Sequence, residues 1–456
     1  MTGRSLGSRA SGDCKNLRMT LTVTILCILV LVLLITWGRL NAFLAFLLVS
    51  LATGIALGIP PETVTRSVQK GLGDTLGSLV VVIVLGAMIG KMVAVSGAAQ
   101  RISQVLIRRF GERHIHWALM LTGFIVGIPL FYNVGFVLLV PLIFSIVRQL
   151  GKPAVWLGVP MLAALSVTHG FLPPHPSPTA LVGQFGADMG RTLLYGFIVS
   201  VPAIILAGPV FARTLKHISS QPPETFTSAT LPDHELPGTA TCFFASLLPV
   251  LMLAGTTLFP MFSTPQGTTA SWVTFLSEPA VVMMISLVYA TWALGLRRGL
   301  RMETIMANYA DAVKDVSLIL LIVAGAGALK QVFTDSGVSG QIAALMNDAP
   351  LPPLVLGWLI AAIIRVAMGS ATVAGLTTAG IIAPVIPATG ADPSLMVLSI
   401  GAGSLMFSHV NDSGFWMFKE YFNLSVKDTI RSWSLMETIV AVSGLAAVLV
   451  LNALIH

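Results

Sequence analysis

Six stretches of this chain, 19–38, 40–61, 192–212, 279–296, 393–411 and 438–456, run 18 to 22 residues without one Asp, Glu, Lys or Arg. About 20 apolar residues in helical form cross the ~30 Å hydrocarbon core of a bilayer. A chain with so many such runs folds as a polytopic membrane protein. Composition agrees: 456 residues hold only 26 basic and 19 acidic side chains, and 55% are hydrophobic. That excludes a soluble globule, where about a quarter of residues carry charge, and a disordered chain. The net charge of +7 reflects scarce acids rather than a long basic run, which removes nucleic acid as a partner. Cys14, Cys27 and Cys242 are scattered, so neither a disulfide framework nor a thiolate metal site is expected. A tail at 1–18 with Arg4, Arg9, Lys15 and Arg18 superficially resembles a signal peptide, but it shows no cleavage site, and Met19 is an alternative start.

Further single spans fall near 75–90, 154–171, 241–260 and 316–329. Two runs fit no single crossing. Residues 114–147 are uncharged for 34 positions and broken by Gly127, Pro129, Asn133, Gly135 and Pro141; residues 349–391 hold only Arg365 and are broken at Gly369 and Ser370. Both are read as re-entrant helical hairpins, at about 116–148 and 352–388, since irregular backbone at membrane depth must line protein or a wet cavity. Tightly turned pairs of complete spans are the alternative. The expected fold is therefore all-α, with two inverted repeats of five spans plus one hairpin each, at 19–215 and 241–456, joined by a polar connector at 216–240. With the loop containing Arg101, Arg108, Arg109 and Arg113 placed in the cytoplasm, 16 Lys and Arg collect on that side, against Arg66, Lys70 and Arg191 outside. The basic tail conflicts with this orientation unless translation starts at Met19.

An internal repeat supports the inversion. Gly86, Lys91, Val93, Ser96 and Gly97 recur as Gly325, Lys330, Val332, Ser336 and Gly337, and Leu165, Thr168 and His169 recur as Leu405, Ser408 and His409, at an offset of 239 to 240. Inverted-repeat transporters bind substrate near the midplane at broken helices and expose it alternately to each side, so the breaks are the site candidates. Asn133 and Gly135 in the first hairpin offer an amide and close backbone approach; Ser370 and Thr372 in the second offer hydroxyls. Thr168 and His169 precede a segment with four prolines between 173 and 178, and Ser408, His409, Asn411 and Asp412 end the matching span. Each has a bland alternative, as turn, packing or capping residues.

Arg365 is the sharpest residue, the only charge between Asp348 and Asp392. An intramembrane guanidinium implies a function or a partner, and its fork of donors suits a carboxylate. Pairing with Asp412 is the structural alternative. Lys91 and Lys330 add positive potential or snorkel to an interface. Asp412, then His409 and His169, are candidates for proton coupling. Metal binding by His169, His175 and His409 lacks a recognised ligand spacing, and no phosphate loop, H-E-x-x-H or G-x-S-x-G is present. No cofactor is expected beyond a proton gradient, and a membrane-embedded histidine-metal enzyme is the rival class.

LGAMIGKM at 85–92, RFGERHIHWALMLTGF at 109–124, NVGFVLLVPL at 133–142, ALSVTHGFLPPHPSPTA at 164–180, ADMGRTLLYG at 187–196, GSATVAG at 369–375 and FSHVNDSGFWMFKEYFNL at 407–424 resemble the gluconate permease family of bacterial inner-membrane symporters, within the ion transporter superfamily. The likeness runs from about residue 20 to the C-terminus. It implies proton-coupled uptake of gluconate or a related sugar acid, two re-entrant hairpins, a mobile transport unit on a scaffold made by the first two spans of each half, and a homodimer. Some members carry an acid at the position of Asn133; the departure would move proton handling to Asp412 or a histidine, or signal another substrate. Relatives also take other small substrates, a D-amino acid among them, so the resemblance leaves the ligand open.

Overall fold

A computed structural model describes residues 22–27, 29–35, 37–130, 132–220, 231–262, 266–338, 351–410 and 412–455. The tail 1–18, the alternative start at Met19, Cys14, Asn411 and 221–230 of the connector lie outside the described residues. All regular structure among the described residues is helical. Among the described residues six helices are long and apolar enough to cross a membrane, or seven if the bent pair at Pro61–Gly77 and Leu79–Val95 is taken as one span.

Along the chain, α1 (Thr22–Ile35) and α2 (Ala42–Ala56) come first, then α3 (Pro61–Val95), the short α4 (Ala98–Phe110), α5 (Ile115–Gly127), α6 (Tyr132–Leu150), α7 (Ala154–Phe171), α8 (Pro176–Phe185) and α9 (Met189–Ile205). After the connector follow α10 (Thr239–Phe262), α11 (Gly267–Ser277), α12 (Pro279–Ala290), α13 (Met302–Asp335), α14 (Pro353–Met368), α15 (Ala371–Ile382), α16 (Ile386–Thr389), α17 (Pro393–Gly403), α18 (Ser413–Tyr421), α19 (Val426–Thr429) and α20 (Leu435–Ile455).

The two longest helices, α3 with 35 residues and α13 with 34, pack side by side. A Cβ on Gly71 would stand 2.4 Å from the Gly327 carbonyl oxygen, so only glycine permits this backbone approach. Both helices end on the same turn: Ser96 at φ −76°, ψ −12° before Gly97 at φ +78°, and Ser336 at φ −77°, ψ −10° before Gly337 at φ +73°. These are the residue pairs that mark the sequence repeat.

Charged residues expected in loops ride on helices instead. Arg66 and Lys70 lie in the exposed N-terminal half of α3, where Lys70 pairs with Asp74 at 2.7 Å, and Lys314 lies on α13. Arg101, Arg108 and Arg109 belong to α4, which buries Ala98, Ala99, Ile102 and Ser103 on its opposite face. Amphipathic helices tolerate charge on one face, so an uncharged window marks the apolar core of a helix and not its ends.

The two predicted hairpins fall on α5 with α6, separated at 128–131, and on α14 with α15, separated at Gly369 and Ser370. With 13, 16 and 12 residues, α5, α14 and α15 reach about 18 to 24 Å, short of a full crossing. The run 393–411 is not one continuous span: α17 stops at Gly403 after 11 residues. Packing explains this. A Cβ on Gly401 would meet the Gly170 carbonyl oxygen at 2.3 Å, and one on Gly403 the Trp358 carbonyl oxygen at 2.3 Å. The end of α17 is wedged backbone to backbone between α7 and α14, and the chain then turns through Phe407 at φ +41°. α7 and α17 are buried nearly all round, which places the broken helices at the centre of the molecule.

Candidate functional site

Where the breaks converge, a cavity of about 190 Å³ is lined by Tyr132 at the start of α6, Ser166 and His169 of α7, Arg365 of α14, Gly369 to Thr372 at the second hairpin break, Asp412 to Gly414 at the start of α18, and Trp433 and Glu437. The volume suits a small metabolite, below the ~300 Å³ at which drug-sized sites begin. Its polar groups come from both halves of the chain.

Local rules explain the shape. Gly369 at φ +73° ends α14, and Ser370 caps α15, its hydroxyl accepting from Val373 N at 3.4 Å. Asp412 caps α18, accepting from Gly414 N at 2.9 Å. The first turns of α6, α15 and α18 thus all face the cavity. Helix N-termini carry partial positive charge and unpaired N–H groups, so the site favours an anion.

Arg365 is 3% exposed and donates from Nη2 to Asp412 Oδ2 at 2.5 Å. The structural pairing foreseen for it therefore forms, but it uses one nitrogen. Nε and Nη1, also buried, find no hydrogen-bond partner among the described residues. A buried guanidinium with two such nitrogens is costly unless a ligand completes its bonds. Asp412 is fully engaged: besides Arg365 and Gly414 it accepts from the Ser408 hydroxyl, which in turn accepts from Trp433 Nε1 at 2.8 Å.

The structure brings Arg365, Asp412, His169, Ser370 and Thr372 to the cavity wall, with Ser408 directly behind. The other sequence candidates sit elsewhere. Thr168 donates to Leu165 O at 2.9 Å, and Gly135 leaves room for the Leu165 side chain, as packing positions. His409 Nε2 is 2.9 Å from Val366 O, and Lys91 is half-buried on α3; neither lines the cavity. Lys330 donates to Gln184 O at 2.5 Å, near the end of α8, where a cation satisfies C-terminal carbonyls. Asn133 takes a helical place in α6, its side chain lying outside the description, as all of Asn411 does. Among the described residues no three His, Cys, Asp or Glu side chains are grouped to hold a metal; His175 contacts Gly127 O at 2.7 Å and stacks edge-on to His169.

Sequence reasoning missed Ser166, Trp433 and Glu437. Glu437, 2% exposed, accepts from Ser166 Oγ at 2.5 Å through Oε1, and Oε2 has no partner among the described residues. It directly precedes the uncharged run 438–456, where an acid reads as the outer end of a span.

Comparison with known proteins gives a consistent result. The chain is 48% identical to the high-affinity gluconate transporter of Escherichia coli over 96% of its own length and 100% of that protein's. It is 45% identical to the Gnt-II system L-idonate transporter of the same organism, covering 92% and 95%, and 42% identical to the gluconate permease of Bacillus subtilis, covering 96% and 100%. In fold it is similar to the YdaH transporter of Alcanivorax borkumensis, with a TM-score of 0.65 at 16% identity over 90% of this chain and 98% of that one. MtrF of Neisseria gonorrhoeae gives a TM-score of 0.64 at 15% identity over 84% and 82%. The GntP family permease model matches residues 19–455. A multi-pass chain with a polar cavity at its central helix breaks, matched from end to end in this way, belongs to the GntP family of permeases and is a transporter rather than an enzyme.

Proposed function

We propose that this permease imports gluconate or a related six-carbon hydroxy-monocarboxylate together with protons across the bacterial inner membrane. The observation that carries the reading is Arg365: it lines a cavity ringed by helix N-termini, and two of its buried guanidinium nitrogens have no partner among the described residues. In this reading the substrate carboxylate completes the bonds of Arg365, while Ser166, Ser370, Thr372 and His169 bind its hydroxyls. The relatives named for gluconate and for L-idonate support a six-carbon sugar acid.

The halves 19–215 and 241–456 are read as inverted repeats that exchange access between the two sides of the membrane. Supporting this are the offset of 239 to 240, the near-equal lengths of α3 and α13, and their matching Ser-Gly ends. A homodimer held by the first two spans of each half completes the proposal. A second reading, an amino acid as substrate, is favoured by one observation, the buried Glu437, which could meet an ammonium group.

Uptake of labelled gluconate into proteoliposomes decides between them. The proposal expects accumulation driven by an acid-outside pH gradient, abolished by excess unlabelled gluconate and untouched by D-amino acids. No uptake of labelled gluconate, together with uptake of a labelled D-amino acid by the same proteoliposomes, would favour the second reading.

A further inference from the structure

We infer that Glu437 is the proton carrier of this transporter, an inference that rests on the proton-coupled reading above. Glu437 opens α20 and reaches the same cavity as Arg365, Asp412, His169 and Tyr132. Among the elements packed on α20, α17 has no charged residue, the α9 cation Arg191 is exposed, and so is Arg431 in the turn before α20. The charges that face Glu437 are therefore those of the cavity.

Charge balance in the cavity shows what a proton does there. With both acids ionised, one guanidinium faces two carboxylates, and a substrate anion would add a third. With a proton from outside water on Oε2, Arg365 and Asp412 balance each other. The cavity then admits a monocarboxylate, and Glu437 presents an O–H donor to it. Release of the proton to cytoplasmic water restores the repulsion and expels the substrate. The step forms and breaks only that O–H bond.

Asp412 does not fit this role. Its oxygens accept from Arg365, Ser408 and Gly414 N, and a proton there would strip Arg365 of its counter-charge. Glu437 has a single donor, Ser166, among the described residues, and an oxygen with none.

The test measures gluconate affinity against pH in detergent, and uptake in proteoliposomes, for wild type, Glu437→Gln and His169→Gln. Wild-type affinity is expected to fall about tenfold per pH unit above its midpoint, as one linked proton requires. Glu437→Gln is expected to bind at all pH values as wild type does at low pH, to exchange gluconate across the membrane, and to lose accumulation driven by a pH gradient. His169→Gln is expected to keep the pH dependence. Gradient-driven accumulation by Glu437→Gln, or loss of pH dependence in His169→Gln, overturns the assignment. A wild type indifferent to the gradient overturns the symport reading itself. Should Glu437→Gln not fold, Ser166→Ala removes the hydrogen bond to Glu437 and is expected to displace the pH midpoint; an unmoved midpoint overturns the assignment.

Discussion

Asp412→Asn separates the charge of this carboxylate from its shape. Asn caps a helix about as well as Asp, so the bond from Gly414 N and the start of α18 are expected to survive. Arg365, whose side chain is 4% exposed, loses its counter-charge. Removing one partner of a buried pair costs about 3–5 kcal/mol, because the remaining ion stays desolvated. For 456 residues, an unfolding entropy of about 2.1 cal/mol/K per residue converts this to roughly 3–5 °C in apparent melting temperature. Fluorescence-monitored melting in detergent of Asp412→Asn, Arg365→Gln and the double variant measures it. The double variant leaves neither member of this pair as an orphaned charge, so it is expected to melt above the less stable single variant. Gluconate at about 100 times its dissociation constant stabilises the wild type by about 2.7 kcal/mol. It is expected to stabilise Asp412→Asn by more, since the ligand is then the anion Arg365 has left. The reasoning fails if Asp412→Asn melts with the wild type, or if the double variant shows the sum of the single losses.

Three further outcomes follow from the geometry. Gly401→Ala, whose Cβ would lie 2.3 Å from the Gly170 carbonyl oxygen, is expected to lose about 1–3 kcal/mol and most transport, whereas Gly73→Ala, with nothing within 4 Å, is expected to be neutral or slightly stabilising in the same melting assay. Lys330→Met removes the bond to Gln184 O and should cost about 1–3 kcal/mol while leaving the gluconate dissociation constant unchanged; a large loss of affinity would return Lys330 to the site. Arg108 of α4 donates to Asp233 of the connector and holds its carboxyl below the usual range, with Arg101 and Gln104 of the same helix beside it. A depressed folded value means the contact contributes above the unfolded value near 4 and is lost as pH falls through the folded one. Hydrogen exchange at 231–238, corrected for intrinsic rate, is therefore expected to quicken in acid for the wild type and to depend less on pH in Arg108→Ala, where Arg101 and Gln104 still act on Asp233; a wild type with flat protection contradicts it.

Much of the centre was legible in the chain because membrane burial makes polar residues conspicuous. Arg365 stood out as the one charge in a long apolar run, and the Gly369–Ser370 break beside it coincides with a helix end at the cavity. The pairing of Arg365 with Asp412 was also foreseeable as an alternative. Glu437 was not, because its burial depends on Ser166, 271 positions away, and on the turn that precedes α20. The early end of α17 was equally hidden: glycines 401 and 403 read as ordinary span residues until the backbones they contact are known. Lys330 marked the repeat, yet its ammonium serves the end of α8, a distinction no local pattern contains.

The central claim, that the Arg365 guanidinium holds the substrate carboxylate, is tested most directly by comparing gluconate with its neutral amide. The dissociation constants of both are measured on wild type, on Arg365→Gln, and on the Arg365→Gln/Asp412→Asn pair that restores charge balance. Loss of a buried charge pair costs at least about 2 kcal/mol, or roughly 30-fold. The account predicts a wild type that prefers gluconate by that factor or more, an Arg365→Gln/Asp412→Asn variant that binds the two ligands about equally, and an Arg365→Gln variant that prefers the neutral amide because Asp412 is left uncompensated. Variants that keep both the affinity and the preference for gluconate would contradict it.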